Sequence, residues 1–356
     1  MRKKIMIMSR YPVEGASSRL RLLQYLPFIT TGHDDFYVAS FFNEKYMLFL
    51  NGKRKLPYLN IIWCYIRRFF HCLSCVFFDT IWVEKEIFPY LPGWFERFFV
   101  LVGKRVVVDY DDAVYLQYKH GNLKKILLGN KIEKVMKHAS LVIAGNRHLA
   151  DKAKLSGAKS VLIIPTVIDI RRYSQDPNCN YRDKVSYIGW IGSPSTEKYL
   201  IEMKDALSSI CEKFSVKLLI VGASDKILSH FKNNHIELVS WSADSEVELI
   251  KKMDIGIMPL IDSEWEKGKC GYKIIQYMAV GIPVIASPIG VNVDIVNDSK
   301  SGLLASTQDE WISACSTLIS SSALREMYGK NGRAAVENIY CVQQQYKVIK
   351  ESLIIN

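Results

Sequence analysis

The chain has 356 residues, enough for two domains of ordinary size, and 49% of them are hydrophobic against 23% charged. This composition excludes a disordered or fibrous protein. The formal net charge of +11 favours an anionic partner such as a phosphate compound, a nucleic acid or an acidic lipid, although many intracellular proteins are equally basic without using the charge. Eight cysteines without paired spacing predict free thiols in a reducing compartment.

The N-terminal sequence predicts a strand over residues 4–9 rather than a cleaved signal sequence. The loop after it carries Gly15, Ser17, Ser18 and Arg19 just before a helix. Because open α/β sheets bind ligands at the carboxyl ends of their strands, these residues are candidates for ligand binding. An ordinary strand–helix loop with a capping serine explains them equally well.

Residues 41–78 are basic and aromatic, with six lysines and arginines against one acid. A helix in this segment is predicted to lie on an anionic membrane surface, with its apolar side among the headgroups. It does not span the bilayer, because two arginines and a histidine interrupt its most apolar stretch, residues 59–78. A core helix whose arginines extend outwards is the alternative. The chain carries no motif for RNA recognition, so nucleic acid is not an expected partner.

Two predicted strands end in charged side chains. Residues 79–86 end in Glu84, Lys85 and Glu86, and residues 104–114 contain an apolar run that opens into acids. The acids are Asp109, Asp111 and Asp112. They are predicted to bind sugar hydroxyls, to accept a proton or to cap the next helix. Alternatively, helix capping and an ion pair to a lysine account for two of the three.

The alternation of strands and helices stops at the polar segment 171–183 and then restarts. We therefore predict an α/β protein with two doubly wound, Rossmann-like domains, residues 1–170 and 184–335, that face each other across a cleft. Residues 336–356 are predicted to form a C-terminal helix that packs back towards the first domain.

Two stretches of the second domain suit an anion. Residues 184–200 predict a strand, a glycine turn and a helix, and the amides near Ser193 are suited to a phosphate. Residues 261–290 predict a loop, a helix that begins near Gly271 and a buried strand. The N-terminus of that helix, flanked by lysines, is a typical anion site. The lysines are Lys267, Lys269 and Lys273.

Several blocks resemble the two-domain GT-B glycosyltransferases, specifically their family 4. VVVDYDDAV, IPTVIDIRRY, the glycine turn at 189–192, DIGIMPL and GYKIIQYMAVGIPVIAS follow the order of the family over almost the whole chain. The last block is the most specific, because the family carries a Glu-x7-Glu signature around an EAMAxGxPV core.

Some positions depart from the family pattern. Gln276 stands at the second glutamate of the signature, which holds the nucleotide ribose in the family, and its amide can still bond ribose hydroxyls. Gly268 stands at the first, so a role towards the sugar is expected to pass to Glu266 or to Asp262. Lys273 matches a lysine that contacts the diphosphate. Asp111 replaces a histidine; the family retains anomeric configuration, whereas a carboxylate here suits the general base of an inverting displacement.

The resemblance implies transfer of a sugar from a nucleotide-diphosphate sugar to a saccharide or polyprenyl-diphosphate-linked acceptor, in surface-polysaccharide assembly at the cytoplasmic face of the inner membrane. No metal or other cofactor is expected. The predicted donor site comprises Gly192, Ser193, Lys198, Ser240, Trp241, Glu266, Lys267, Gly268, Lys269, Cys270, Gly271, Tyr272, Lys273 and Gln276. The predicted acceptor site comprises Gly15, Ser17, Ser18, Arg19 and Glu86, and the predicted catalytic residues are Asp109, Asp111 and Asp112. A nucleotide-sugar epimerase or hydrolase of the same fold and a non-catalytic sugar-nucleotide-binding protein are the alternatives.

Overall fold

The computed structural model describes residues 2–30, 33–50, 55, 58–173, 184–231 and 235–355. Its contacts divide the chain into two compact units. Unit 1 contains Met1–Val167, Gly268–Cys270 and Gln345–Asn356, and unit 2 contains Ile168–Lys267 and Gly271–Gln344. Among the described residues, each unit has one six-stranded parallel sheet, so the predicted α/β class with two Rossmann-like sheets is confirmed.

The sheet of unit 1 places the predicted acidic strand ends side by side. Its strands are β1 (Lys4–Met8), β2 (Asp35–Val38), β3 (Thr80–Glu84), β4 (Arg105–Tyr110), β5 (Leu141–Ala144) and β6 (Val161–Ile163). They are parallel in the order β2-β1-β3-β4-β5-β6. Strands β3 and β5 are buried along their whole length, which explains their continuous apolar sequences. The order reverses direction between β1 and β3, where such sheets bind ligands.

The helices of unit 1 surround this sheet. They are α1 (Ala16–Arg21), α2 (Leu26–Ile29), α3 (Glu44–Leu50), α4 (Tyr58–Ser74), α5 (Trp94–Leu101), α6 (Asn122–Leu128), α7 (Lys131–His138) and α8 (Arg147–Leu155). Short 3₁₀ helices cover residues 23–25, 75–77 and 114–118. The side chain of Asn146 caps α8 by accepting a hydrogen bond of 2.8 Å from the amide of Leu149.

The sheet of unit 2 has the strand order of a doubly wound nucleotide-binding domain. Its strands are β7 (Tyr187–Ile191), β8 (Lys217–Val221), β9 (Ile236–Val239), β10 (Ile255–Met258), β11 (Val284–Ala286) and β12 (Gly302–Leu304). They are parallel in the order β12-β11-β10-β7-β8-β9, which reverses direction between β7 and β10. The loops after β7 and β10 therefore meet at the edge where such sheets bind ligands.

The remaining helices follow in chain order. They are α9 (Lys198–Glu202), α10 (Lys204–Phe214), α11 (Glu246–Lys251), α12 (Glu264–Lys267), α13 (Tyr272–Ala279), α14 (Val291–Ser299), α15 (Gln308–Ser320), α16 (Ser322–Asn338) and α17 (Val342–Ile354), with 3₁₀ helices over residues 170–172, 194–196 and 225–230. The predicted boundary between residues 335 and 336 falls inside α16, because that helix continues to Asn338. The predicted linker covers residues 171–183, and its residues 174–183 lie outside the described residues.

The predicted membrane helix corresponds to α4, and both of its arginines turn inwards. Arg67 Nη2 donates hydrogen bonds of 2.9 Å to the backbone carbonyls of Ser40 and Phe41. Arg68 is buried and donates to the carbonyl of Ser9 at 2.7 Å. The outward extension of the arginines considered from the sequence is therefore wrong, because main-chain carbonyls beneath the helix hold them.

The exposed face of α4 is consequently apolar rather than basic. Its exposed large side chains are Tyr58, Leu59, Ile62, Trp63, Ile66, Phe69, Phe70 and Leu73. Lys53 and Arg54, which contribute to the predicted basic surface, lie outside the described residues. No helix within the described ranges is long and apolar enough to cross a membrane.

Candidate active site

Glu84 connects the loop after β1 with the acids after β4. It is buried at the end of β3, and its carboxylate accepts bonds from the Arg10 amide at 2.7 Å and from the Ser18 hydroxyl. The Ser17 hydroxyl lies 2.8 Å from Glu84 Oε1 and 2.8 Å from Asp111 Oδ2. With one proton, Ser17 donates to one of these carboxylates at a time. Both serines predicted to bind the acceptor therefore bond to acidic side chains of the sheet.

Lys85 balances the charge of the acidic cluster. Its ammonium lies 2.9 Å from Asp111 Oδ1, 3.8 Å from Asp112 Oδ2 and 3.2 Å from the Ser17 hydroxyl. Burial lowers the pKa of Lys85, but the nearby carboxylates of Asp111 and Asp112 outweigh it, so the pKa lies above its ordinary value. The ion pair to a lysine, one of the alternatives from the sequence, thus involves two of the three aspartates.

The two paired aspartates differ in accessibility and in pKa. Burial would raise the pKa of Asp111, but Lys85 outweighs burial and holds that pKa below its ordinary value. Burial and the charge of Asp111 raise the pKa of Asp112 to about 6. The side chain of Asp112 is 32% exposed, against 14% for Asp111. Asp112 is therefore the carboxylate that a substrate can reach and that exchanges a proton near neutral pH.

Asp109 lies beneath this surface. It is 1% exposed and pairs with Arg21 of α1, whose Nε lies 2.8 Å from Oδ1. Arg21 Nη1 donates to the carbonyl of Ile164 at 2.9 Å, so the pair connects α1, β4 and the end of β6. Burial raises the pKa of Asp109 to about 6 although Arg21 opposes it. The burial of Asp109 and its pair with Arg21 indicate a supporting role; the catalytic contact predicted for it stays a prediction.

Glu86 is enclosed as well. Both of its carboxylate oxygens lie 2.8 Å from the Tyr118 hydroxyl, and it pairs with buried Lys131 and, at 3.3 Å, with Arg10. Glu86 is only 5% exposed. The geometry indicates that Glu86 supports the loops at this edge of the sheet; the acceptor contact predicted for it stays a prediction.

The other two predicted acceptor residues shape the loop before α1. Gly15 is the N-cap of α1, and a Cβ atom there would lie 2.3 Å from the Cβ of Tyr11, so only glycine fits. Arg19 Nη1 donates to the carbonyl of Val13 at 3.1 Å. No serine side chain caps α1, so the capping explanation of Ser17 and Ser18 is wrong.

The segment Gly268–Cys270, part of the predicted donor loop, belongs to unit 1 by its contacts. Asn146 Nδ2 donates to the carbonyls of Gly268 at 3.0 Å and Lys269 at 2.9 Å. A Cβ atom at Gly268 would lie 2.8 Å from the backbone nitrogen of Ala113, which explains why a glutamate is missing at this position. Burial raises the pKa of Cys270 to about 12, so it remains a thiol.

In unit 2, the loop after β7 presents hydroxyls and a lysine. Ser193 and Thr196 form a capping box at the start of the 3₁₀ helix, and Ser193 is exposed. A Cβ atom at Gly192 would lie 2.2 Å from the Trp190 ring, so the turn requires glycine. The side chain of Lys198 is 57% exposed and lies 3.6 Å from Glu266.

Glu266 is held by side chains rather than facing an open site. The Tyr199 hydroxyl donates to Oε1 at 2.6 Å and the Ser263 hydroxyl donates to Oε2. Burial would raise the pKa of Glu266, but these hydrogen bonds outweigh burial and lower it. The next residue, Lys267, ends α12 and pairs with Glu264 at 3.0 Å.

Helix α13 begins as predicted. Gly271, its N-cap, has a left-handed φ of +66°, which favours glycine, and Tyr272 is its first residue. The ammonium of Lys273 lies over the ring of Trp190 at 4.3 Å from its centroid. This cation–π contact fixes the lysine between α13 and β7, at the reversal point of the strand order.

Gln276 lies in a buried hydrogen-bond chain that the sequence did not reveal. Its amide donates to the Tyr173 hydroxyl at 3.3 Å, and Tyr173 donates to Glu246 Oε1 at 2.9 Å. Trp241 Nε1 donates to Glu246 Oε2 at 2.8 Å, and the neighbouring Ser240 is exposed. Gln276 and Trp241, both predicted to bind the sugar donor, are therefore connected through Tyr173 and Glu246.

Within the described residues, no group of three histidine, cysteine, aspartate or glutamate side chains is arranged to hold a metal ion.

Comparison with known proteins finds a family model and a curated relative that each match part of this chain. A family model described as "Glycosyl transferases group 1" matches residues 183–321. The capsular polysaccharide biosynthesis glycosyltransferase CapM of Staphylococcus aureus is 25% identical over 167 residues, which cover 44% of this chain and 42% of CapM. The match therefore spans less than half of that relative.

Solved structures resemble the chain over nearly its whole length. Alr3699/HepE from Anabaena, solved in complex with UDP and glucose, has a TM-score of 0.73 with 16% identity and 99% coverage of both chains. WaaG, described as a glycosyltransferase involved in lipopolysaccharide biosynthesis, has a TM-score of 0.67 with 14% identity, covering 99% of this chain and 100% of WaaG. These likenesses confirm the GT-B fold.

Proposed function

We propose that this chain, which has the GT-B fold and the group 1 glycosyl transferase pattern in residues 183–321, is a glycosyltransferase of cell-surface polysaccharide biosynthesis. It moves a sugar from a nucleotide-diphosphate sugar to a saccharide or lipid-linked acceptor. The observation that carries the proposal is that the matched region contains α13 and Lys273 at the reversal point between β7 and β10. The resemblance to CapM and to HepE with UDP and glucose supports it.

Unit 2 supplies the groups for the donor. We assign the diphosphate to Lys273, the N-terminus of α13 and the exposed Ser193, and the nucleoside to Trp241 and Gln276. As the glycosidic bond breaks, its electron pair moves onto the diphosphate. A lysine and helix amides stabilise that charge without requiring a metal ion.

Unit 1 supplies the general base. Asp112 accepts the proton of the acceptor hydroxyl while that oxygen bonds to the anomeric carbon, and Asp111, kept ionised by Lys85, holds the acidic cluster in place. This single displacement inverts the anomeric centre, whereas the resemblance to family 4 implies retention. The anomeric configuration of the product, read by proton NMR at early times, decides between the two.

The exposed apolar face of α4 supports attachment to the cytoplasmic face of the inner membrane. Trp94, Phe98 and Leu101 of α5 are also exposed, and the ring of Phe69 lies 6.1 Å from that of Phe95 on α5. The two helices thus form one apolar surface, suited to insert between lipid headgroups. Attachment should depend more on these side chains than on the basic residues predicted from the sequence.

The donor assignment is tested by a transfer assay with Lys273→Ala. Loss of a cation at the leaving group should lower kcat by about 10²–10³-fold. Lys213→Ala is a matched control, because Lys213 also lies over an aromatic ring, Phe214, at 5.3 Å. Transfer by Lys273→Ala at the rate of the control would contradict the assignment. Rapid turnover of the donor to free sugar or an epimer without any acceptor would favour a hydrolase or epimerase instead.

A further inference from the structure

Unit 1 contains a cavity that the proposed reaction does not use. Its volume is about 490 Å³, and it lies where β2 ends, between the start of α3 and one side of α4. Its polar lining consists of Ser40, Asn43, Glu44, Lys45, Arg67 and His71. Two cations therefore face one acid, and the remaining polar groups are neutral.

Two nitrogen atoms of this lining are buried without a partner. Arg67 Nη2 is held by the carbonyls of Ser40 and Phe41, but Arg67 Nε has no acceptor among the residues that the structure describes. The same holds for Nδ1 of His71. Burial, and then the charges of Arg68 and Arg67, lower the pKa of His71, so its ring is neutral near pH 7. Since buried polar groups are nearly always paired, the unpaired N–H at Arg67 Nε indicates a ligand with an acceptor group. Nδ1 of the neutral His71 ring adds a second donor in the tautomer that carries the proton there.

The cavity borders the exposed apolar face of α4. At 100° per residue, Arg67 and His71 form one stripe of the helix, with buried Cys64 and Arg68 on one side. On the other side lie Trp63, 56% exposed, and Phe70, 60% exposed, followed by Ile66. An anion in the cavity would therefore lie directly beside an apolar surface that faces outwards.

We propose that this cavity binds the phosphate or diphosphate group of an amphiphile, whose hydrocarbon chain lies over the exposed face of α4. The two cations of the lining complement the negative charge of the phosphate. Helix α4 contains no acidic residue, and its exposed apolar face complements the hydrocarbon chain of the amphiphile. The proposal rests on the proposed function in one respect only, that this amphiphile is the acceptor of the sugar.

The experiment measures binding to the full chain by isothermal titration, without donor, using farnesyl diphosphate, inorganic diphosphate and farnesol. Farnesyl diphosphate should bind at least 10-fold more tightly than either of the others, because it fills the cavity and covers the helix face. Equal affinity for inorganic diphosphate would assign the cavity to a free phosphate compound and would overturn the lipid part. Absence of farnesyl diphosphate binding would overturn the whole proposal.

Variants locate the site. Arg67→Gln should weaken farnesyl diphosphate binding by about 10-fold or more, as expected for the loss of a charge-assisted hydrogen bond. Because Arg67 also holds two backbone carbonyls, His71→Leu is a second test that leaves those bonds in place. Phe70→Ser should weaken farnesyl diphosphate but not inorganic diphosphate. Lys125→Gln, at an exposed lysine of α6, is the control.

The donor site of unit 2 is a competing location for a diphosphate. Lys273→Ala should leave farnesyl diphosphate binding unchanged. If this variant lost farnesyl diphosphate binding while Arg67→Gln and His71→Leu bound it fully, the assignment to the cavity would be overturned. Binding at the cavity together with a failed transfer assay would count against the proposed function alone. Sugar transfer without binding at the cavity would count against this inference alone.

Discussion

Replacing Lys85 by methionine removes the cation of the acidic cluster but keeps a side chain of similar length. Lys85 and Asp111 are 9% and 14% exposed and lie 2.9 Å apart. Breaking a buried ion pair by removing one partner costs about 3–5 kcal/mol, because the remaining charge is left without compensation. We expect Lys85→Met to lower the stability of unit 1 by about that amount at pH 7.

The effect should depend on pH in a defined direction. The folded-state pKa of Asp111 lies below its ordinary value, so its pairing with Lys85 stabilises the fold above the unfolded pKa of about 3.9 and is lost as the pH falls. The difference between the wild-type chain and Lys85→Met should therefore be largest near pH 7 and shrink towards pH 4. Protonation of Asp111 in the variant removes the uncompensated charge.

Hydrogen exchange of peptides from β3 and β4, measured across a urea titration, reports the stability of unit 1. Lys154→Met is the matched control, since Lys154 and Asp151 form an exposed pair in the same unit, with exposures of 63% and 55%. The control should change stability by no more than about 0.5 kcal/mol. A loss below about 1 kcal/mol for Lys85→Met, or an equal loss at pH 4 and pH 7, would refute the assignment of Lys85 as the compensating charge.

Three further predictions follow from individual residues. The kcat/KM of sugar transfer should rise with pH through about 6 as Asp112 loses its proton, and Asp112→Asn should lower it by about 10²–10⁴-fold; an unchanged profile in the variant would rule out this base. In urea, Gly271→Ala should lower the free energy of unfolding of unit 2 by more than the about 1 kcal/mol expected for Gly103→Ala in unit 1. Both glycines have a positive φ, but only at Gly271 does a side chain, that of Ile295, lie 2.4 Å from the new Cβ. Equal losses in the two variants would exclude this packing effect. Glu246→Gln should lower stability by about 1–2 kcal/mol and change the fluorescence of Trp241, and an unchanged spectrum would argue against their hydrogen bond.

Local sequence patterns predict the strands and the main acidic edge well. The valine run before Asp109 has to be a buried parallel strand, and the acids after it therefore lie at the ligand-binding edge. The helix beginning at Tyr272 and its lysine are likewise evident, because Gly271 and the apolar spacing mark the start. Features that depend on neighbours in sequence are thus accessible without a structure.

Partners distant in sequence are not accessible in this way. Arg21 and Asp109 are 88 residues apart, and Asn146 bonds to Gly268, which follows 122 residues later. A helix pattern also does not show which way a long basic side chain turns. For Arg67 the direction is decided by the backbone carbonyl of Ser40, so only the fold shows that the exposed face of α4 is apolar rather than basic.

The composition of unit 1 has a consequence for how the chain folds during synthesis. Thr80 donates to the carbonyl of Leu353 at 2.8 Å, and Arg105 Nη2 donates to that of Ser352 at 3.0 Å, so α17 supports β3 and β4. The N-terminal sheet therefore leaves the ribosome before one of its supports exists. Until residues 345–356 emerge, β3 and β4 lack these hydrogen bonds, so we expect the sheet to be less stable while unit 2 is being translated than in the complete chain.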